Sequence, residues 1–264
     1  MSNEQWFNNQ QEDLPLGMHQ RTEELYQIPD MEVDENGEFE CAAIVLRDLV
    51  VFPHMVTPIF VSPGINLNAI QESQKRFETL ISLYVNQSKE DDDIPSDFLP
   101  IGTEVAVGRL LTMPDGNHSA LMQGRRRVEL IDITQEEPFV KVRVRVVPEI
   151  ETADRHTKAL MRTTRDLFQK CVQLDRSLPD EAHLYAANIQ DPGWLSDMIT
   201  SAISLTLLDR QELLISINPS KRLKLINSFL AEELDVLQLE DEIQIKVQSE
   251  VDKSQREFYL REQM

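Results

Sequence analysis

The sequence predicts an α+β protein: a small, mainly antiparallel β-barrel or sandwich, then an α-helical bundle that ends in a long helix. Three observations predict it. From Ala42 to about Pro148 the apolar residues come in short β-branched runs or alternate with polar ones. After Pro148 the apolar period changes from two to 3.6. The chain of 264 residues also exceeds the size at which one hydrophobic core usually keeps growing, so two structural units are expected.

Residues 1–40 carry eleven acidic residues against one base, Arg21, which is half of the net charge of −20. Such a segment reads as an acidic disordered arm. Its start, "MSNEQWFNNQQEDLPLG", has neither the basic nor the apolar stretch of a signal peptide. Residues 41–150 form the expected β domain. "AAIVLRDLVVFPHMVTPIFV" is cut by Pro53 and Pro58 into two edge-like strands. The spacing of Leu67, Ile70, Phe77, Leu80, Ile81 and Tyr84 predicts one helix over Asn66 to Asn86, with an acidic loop after it. "TEVAVGRLLTMPDGNHSALMQG" reads as two strands around Pro114-Asp115-Gly116, where Pro presets φ and Gly accepts positive φ. In "PFVKVRVRVVPE" the valines 140, 142, 144 and 146 face one way and Lys141, Arg143 and Arg145 the other.

Residues 151–218 read as a helical bundle. Thr152 is a candidate cap for a helix with Leu160, Leu167, Cys171 and Leu174 on one face. Asp191 with Pro192, and Asn218 with Pro219, have the pattern of an N-cap followed by Pro in the first turn. Asp209 with Glu212 resembles a capping box. From Pro219 no break signal occurs up to Met264, and the closing "KSQREFYLREQM" has no cap residue of its own. A long helix over residues 219–264, leading toward a further module, is therefore expected. Its first part carries Leu223, Ile226, Leu230, Leu234 and Leu237 for packing. Its second part is sparser, with Leu239, Ile243, Val247 and Val251 at spacing four.

Most catalytic chemistry leaves no mark here. The five histidines and two cysteines, Cys41 and Cys171, match no metal-ligand or redox spacing. Neither a phosphate-binding G-x-x-x-x-G-K-[ST] loop nor a G-x-S-x-G elbow occurs. No apolar run approaches a membrane span, and two cysteines so far apart in sequence, without such spacing, suit a reducing, cytoplasmic setting. The basic residues Arg125, Arg126, Arg127, Lys141, Arg143 and Arg145 raise nucleic-acid binding as an alternative, but acids interleave with them and the chain as a whole repels polyanions. The better candidates for contact with a protein partner are apolar residues at the Pro-punctuated edges: Val51, Phe52, Pro53, Met55, Met113, Pro114 and Met122.

Taken in order, "VLRDLVVFPHMVTPIFV", "IGTEVAVGRLLTMPDGN", "ALMQGRRRVELI", "EEPFVKVRVRVVPE", "WLSDMITSAISLTLLDRQELL" and "KSQREFYLREQM" resemble the N-terminal region of the Lon family of ATP-dependent proteases. Val45 stands where that family usually has Pro before Leu-Arg. The resemblance implies a PUA-like β domain, then a helical domain whose long helix leads into an ATPase module and a Ser-Lys protease module. It implies a non-catalytic region that recognises unfolded, damaged or regulatory client proteins and assembles with sibling subunits of a homohexamer. This stretch itself would hold no cofactor, while ATP and Mg would belong to the parent's ATPase module. Ile243, Val247, Val251, Phe258 and Tyr259 are then the candidates for coupling to those modules. The alternatives are a PUA-like nucleic-acid-binding module and a coiled-coil adaptor.

Overall fold

The structure, a computed structural model, describes residues 24–85, 97–148 and 154–262, with side chains through Asp252. The chain divides into two compact units, Met1–Ile150 with Ile203–Ile217, and Glu151–Ala202 with Asn218–Met264.

The first unit is built on strands β1 (Glu38–Leu46), β2 (Val56–Val61), β3 (Leu80–Tyr84), β4 (Ile101–Val107), β5 (Leu111–Thr112), β6 (His118–Gln135) and β7 (Val140–Val146), with helix α1 (Ile65–Arg76) between β2 and β3. Strand β6 is long enough to pair with β2 at its start, β4 in its middle and β7 at its end. Since β4 leads through β3 and β1 back to β7, five strands close into a barrel while β2 and β5 hang on β6. All pairs are antiparallel except β1 with β3, whose parallel register needs the crossover that β2 and α1 supply.

Strand β1 is buried on both faces. Ala42 and Ile44 join one apolar cluster with Val51, Ile70, Leu80, Val105 and Met122, whereas Phe39, Cys41, Ala43 and Val45 join another with Ile81, Leu83, Val140, Val142 and Val144. This accounts for a near-continuous apolar run in place of alternation. On β7 the alternation is clean, and its outward bases form ion pairs with β1: Lys141 and Arg143 with Glu40, Arg145 with Glu38.

Three expectations for this unit are corrected. The helix expected over Asn66 to Asn86 ends at Arg76, with Phe77 left-handed at its C-cap, and Leu80, Ile81 and Tyr84 belong to strand β3. A short apolar run fits either period, and burial on both faces decided for strand. The acidic arm expected over residues 1–40 does not extend to 40: residues 1–23 lie outside the described residues, Leu25 and Ile28 are buried, and β1 begins at Glu38. Finally, helix α5 (Leu207–Ile215), expected within the helical bundle, packs in this unit, where Gln211 Nε2 donates to the Val85 carbonyl at 3.0 Å. Its cap is Thr206, which accepts from the Asp209 amide, so Asp209 is the third helical residue and not the cap.

The second unit consists of α2 (Arg155–Leu174), α3 (Ala182–Asn188), α4 (Pro192–Ala202) and α6 (Pro219–Glu262). Asp154, not Thr152, caps α2, accepting from the Thr157 amide at 2.6 Å. The buried face of α2 is Met161, Thr164, Phe168, Cys171 and Val172, with Leu160, Leu167 and Leu174 half-buried beside it. Asp191 and Asn218 cap α4 and α6 as expected, through the amides of Trp194 and Ser220. Buried Arg222 ties α6 to α4 by donating to Ser196 Oγ at 2.9 Å, 3.5 Å from Asp197 Oδ1. Helix α6 is unbroken over 44 residues, a rod of about 66 Å.

Candidate functional site

The segment Val50-Val51-Phe52-Pro53 is a buried plug packed against β3, β4 and β6. Val50, Val51 and Phe52 have no exposed surface, and Pro53 is buried with them. Burying backbone away from a ladder requires other partners, and a polar cluster supplies them. The Tyr84 hydroxyl accepts from the Val51 amide at 3.0 Å, Thr103 Oγ1 donates to the Val51 carbonyl at 2.7 Å, and Ser82 Oγ lies 2.7 Å from the Tyr84 hydroxyl. Burial pushes the Tyr84 phenol up, so it stays a neutral partner. Gly124 makes room for the plug: a Cβ there would sit 2.1 Å from the Phe52 carbonyl oxygen. Val51, Phe52, Pro53 and Met122 are therefore core residues rather than contacts, and Met55 is half-buried. Met113 and Pro114, at the β5–β6 turn, remain exposed.

The outward apolar face lies one strand on. In β2, Ile59 and Val61 point inward while Val56, Pro58 and Phe60 point outward, Phe60 with 71% of its surface exposed. Cross-strand register sets Phe60 opposite Ser119 and Pro58 opposite Leu121, and Ser119 in turn opposite Leu111 of β5. Phe60, Val56, Pro58, Leu111, Leu121 and Met113 thus make one apolar face across β2, β6 and β5. Pro58 is tolerated because β2 is an edge strand, paired among the described residues with β6 alone. This face went unread in the sequence because both faces of "VTPIFV" are apolar, and only the alternation Val56, Pro58, Phe60 hinted at it.

The arginine run has three separate structural tasks. Arg125 Nη2 donates to the carbonyls of Leu25 at 2.6 Å and Ile28 at 3.1 Å. Arg126 pairs with the fully buried Glu104 at 2.5 Å and donates to the Met31 carbonyl. Arg127, itself buried, donates to the Leu214 carbonyl in the last turn of α5 and lies over the Phe52 ring. With Lys141, Arg143 and Arg145 paired along β1, the cations of the nucleic-acid alternative are engaged within the protein.

Burial pushes the Cys41 thiol up, and the Cys171 thiol up to about 11, so neither is a thiolate nucleophile near neutrality. Among the described residues no cluster of His, Cys, Asp and Glu could hold a metal ion, and no helix is long and apolar enough to cross a membrane. In α6, Leu223, Ile226, Leu230 and Leu234 are buried, whereas Leu239, Ile243, Val247 and Val251 are exposed, Ile243 by 60%. The side chains of Phe258 and Tyr259 lie outside those described.

The family model of the ATP-dependent protease La (LON) substrate-binding domain matches residues 40–232. This chain belongs to the Lon substrate-binding domain family. Lon protease 2 of Herpetosiphon aurantiacus is 34% identical over 233 residues, covering 88% of this chain and 29% of that protein. The Lon protease of Heliobacterium modesticaldum is 31% identical over 225 residues, covering 85% and 28%. The chain thus spans less than a third of the length of these relatives. The N-terminal domain of a Mycobacterium avium complex Lon protease shares the fold, with a TM-score of 0.60, 23% identity and coverage of 73% of this chain and 98% of that one. The Lon N-terminal domain protein from Xanthomonas campestris follows at 0.51 and 14%, with 70% and 95% covered. The part of Lon that this chain matches is a substrate-binding domain.

Proposed function

We propose that this Lon region captures unfolded or damaged client proteins on the apolar face of β2, β6 and β5, and presents them to ATPase and protease modules of a longer parent chain. The observation that carries this is the exposure of Val56, Pro58 and Phe60 together on the edge strand β2, with Met113 exposed at the β5–β6 turn. An extended client segment can lie along such an edge, with apolar side chains as anchors and little demand on sequence.

The parent is a serine endopeptidase that uses ATP and Mg in modules outside this stretch, works in the cytoplasm and assembles as a homohexamer. The exposed Ile243, Val247 and Val251 of α6 suit contact with those modules or sibling subunits. Weak capture by one face becomes effective when six faces share a ring, through effective concentration. The test is binding of this chain to one client in its unfolded and its folded form. Preference for the unfolded form is expected, and equal or absent binding to both overturns the reading.

A further inference from the structure

Residues 24–31 cross β4 and β6 as a strap, on the face that carries Glu104, Ala106 and Leu121. Its apolar anchors are Leu25, with no exposed surface, and Ile28, which pack on Ala106 and Leu121. Leu25 also lies against Gly108, where a Cβ would sit 3.5 Å from Leu25 Cδ2. The strap's backbone is read by side chains of the barrel. Arg125 donates to two of its carbonyls, those of Leu25 and Ile28. Arg126 Nη2 donates to the Met31 carbonyl at 2.8 Å, and Glu104 Oε1 accepts from the Met31 amide at 2.8 Å. Charge adds to this: Arg125 Nε lies 3.6 Å from Asp30, and Arg109 is 4.0 Å from Glu24.

A groove that binds a crossing segment by its backbone, two apolar anchors and acidic flanks has the chemistry of a peptide-binding site. It is also continuous with the exposed face: Leu121 beneath the strap is the cross-strand partner of Pro58 on β2.

We propose that residues 24–31 are an intramolecular occupant of a peptide-binding groove, and that release of this strap opens the groove to client segments with apolar anchors and acidic flanks. The proposal deepens the capture reading and rests on it for the identity of the client, but not for the existence of the groove. A site filled in cis binds in trans with an affinity reduced by the fraction of time it is empty. Strap occupancy therefore sets how readily the region captures clients, and higher salt, by screening the Glu24 and Asp30 pairs, favours the open form.

The probe is a fluorescent peptide with the sequence of residues 24–33, followed by anisotropy. Three proteins are compared: the full chain, a chain that starts at Glu32, and the full chain carrying Glu24→Lys with Asp30→Lys. Glu24 and Asp30 both lie at the surface, so that variant retains its core. The chain from Glu32 is expected to bind the peptide saturably, the full chain at least about tenfold more weakly, and the lysine variant in between. Binding to the shortened chain no tighter than to the full chain overturns the proposal. Should the shortened chain lose its cooperative melt, the lysine variant decides, and peptide binding equal to that of the full chain overturns it. An unfolded client is expected to displace the peptide. A client that binds without displacing it leaves the capture face standing and overturns the strap's role as its competitor.

Discussion

Arg126 and Glu104 form an ion pair at 2.5 Å in which the carboxylate has no exposed surface. Glu104 Oε1 also accepts from Thr79 Oγ1 at 2.6 Å and from the Met31 amide, so one buried anion ties β4, β6 and the segment before β1 together. A buried charge is tolerated only while its partners hold. Arg126→Ala is expected to destabilise the β unit by about 3 kcal/mol, since it leaves the carboxylate without its cation. Adding Glu104→Gln should recover part of that loss. Chemical denaturation of both single variants and the double variant measures the coupling, and strict additivity would contradict the pair's role.

Gly124 is required for space, not for backbone freedom. The Phe52 carbonyl approaches so closely that Gly124→Ala must push the plug outward, at a cost of about 2 kcal/mol or more. A thermal melt of the variant checks this, and an unchanged melting temperature would show that the plug can shift freely.

Phe52 and Phe60 separate packing from binding. Phe52→Ala removes a fully buried ring and is expected to cost about 3 to 5 kcal/mol of stability. Phe60→Ser alters a largely exposed ring, so stability should stay within about 0.5 kcal/mol while affinity for an unfolded client falls about tenfold. Denaturation and client titration of both variants test the pair of statements together.

Acid should loosen the second unit at the start of α2. Hydrogen bonds from Thr157, its side chain first and then its backbone amide, hold the Asp154 carboxyl below its ordinary value. A depressed carboxyl contributes stability that is present above its unfolded value near pH 4 and is lost as pH falls through the lower folded value. Asp154→Asn keeps a capping oxygen without the charge, so it should flatten the decline in helix protection below pH 4. Hydrogen exchange at Thr157 and Lys158 across that range is the measurement.

Much of the architecture was legible where one local rule spoke alone. The alternation of Val140, Val142 and Val144 marked β7, Gly116 after Pro114 and Asp115 marked the β5–β6 turn, and Asp191 and Asn218 marked their helix starts. It failed where two rules competed. Leu80, Ile81 and Tyr84 fit a helical stripe as well as a strand, and Asp209 could begin a helix or stand in its first turn behind Thr206. The candidate site was harder still. Proline in "VVFPHM" signalled an edge, yet that segment is the plug, because Tyr84, Thr103 and Gly124, all distant in sequence, supply its hydrogen bonds and its room.

By itself the sequence determined the two-part order, the period of β7, the caps Asp191 and Asn218 and the long helix, since each depends on neighbours within a turn or a strand. Tertiary structure alone decided which apolar residues face water, which unit holds α5, and what Arg125, Arg126 and Arg127 bind. Those outcomes depend on cross-strand register and on desolvated partners a hundred or more residues away in sequence, and a local pattern carries no record of them.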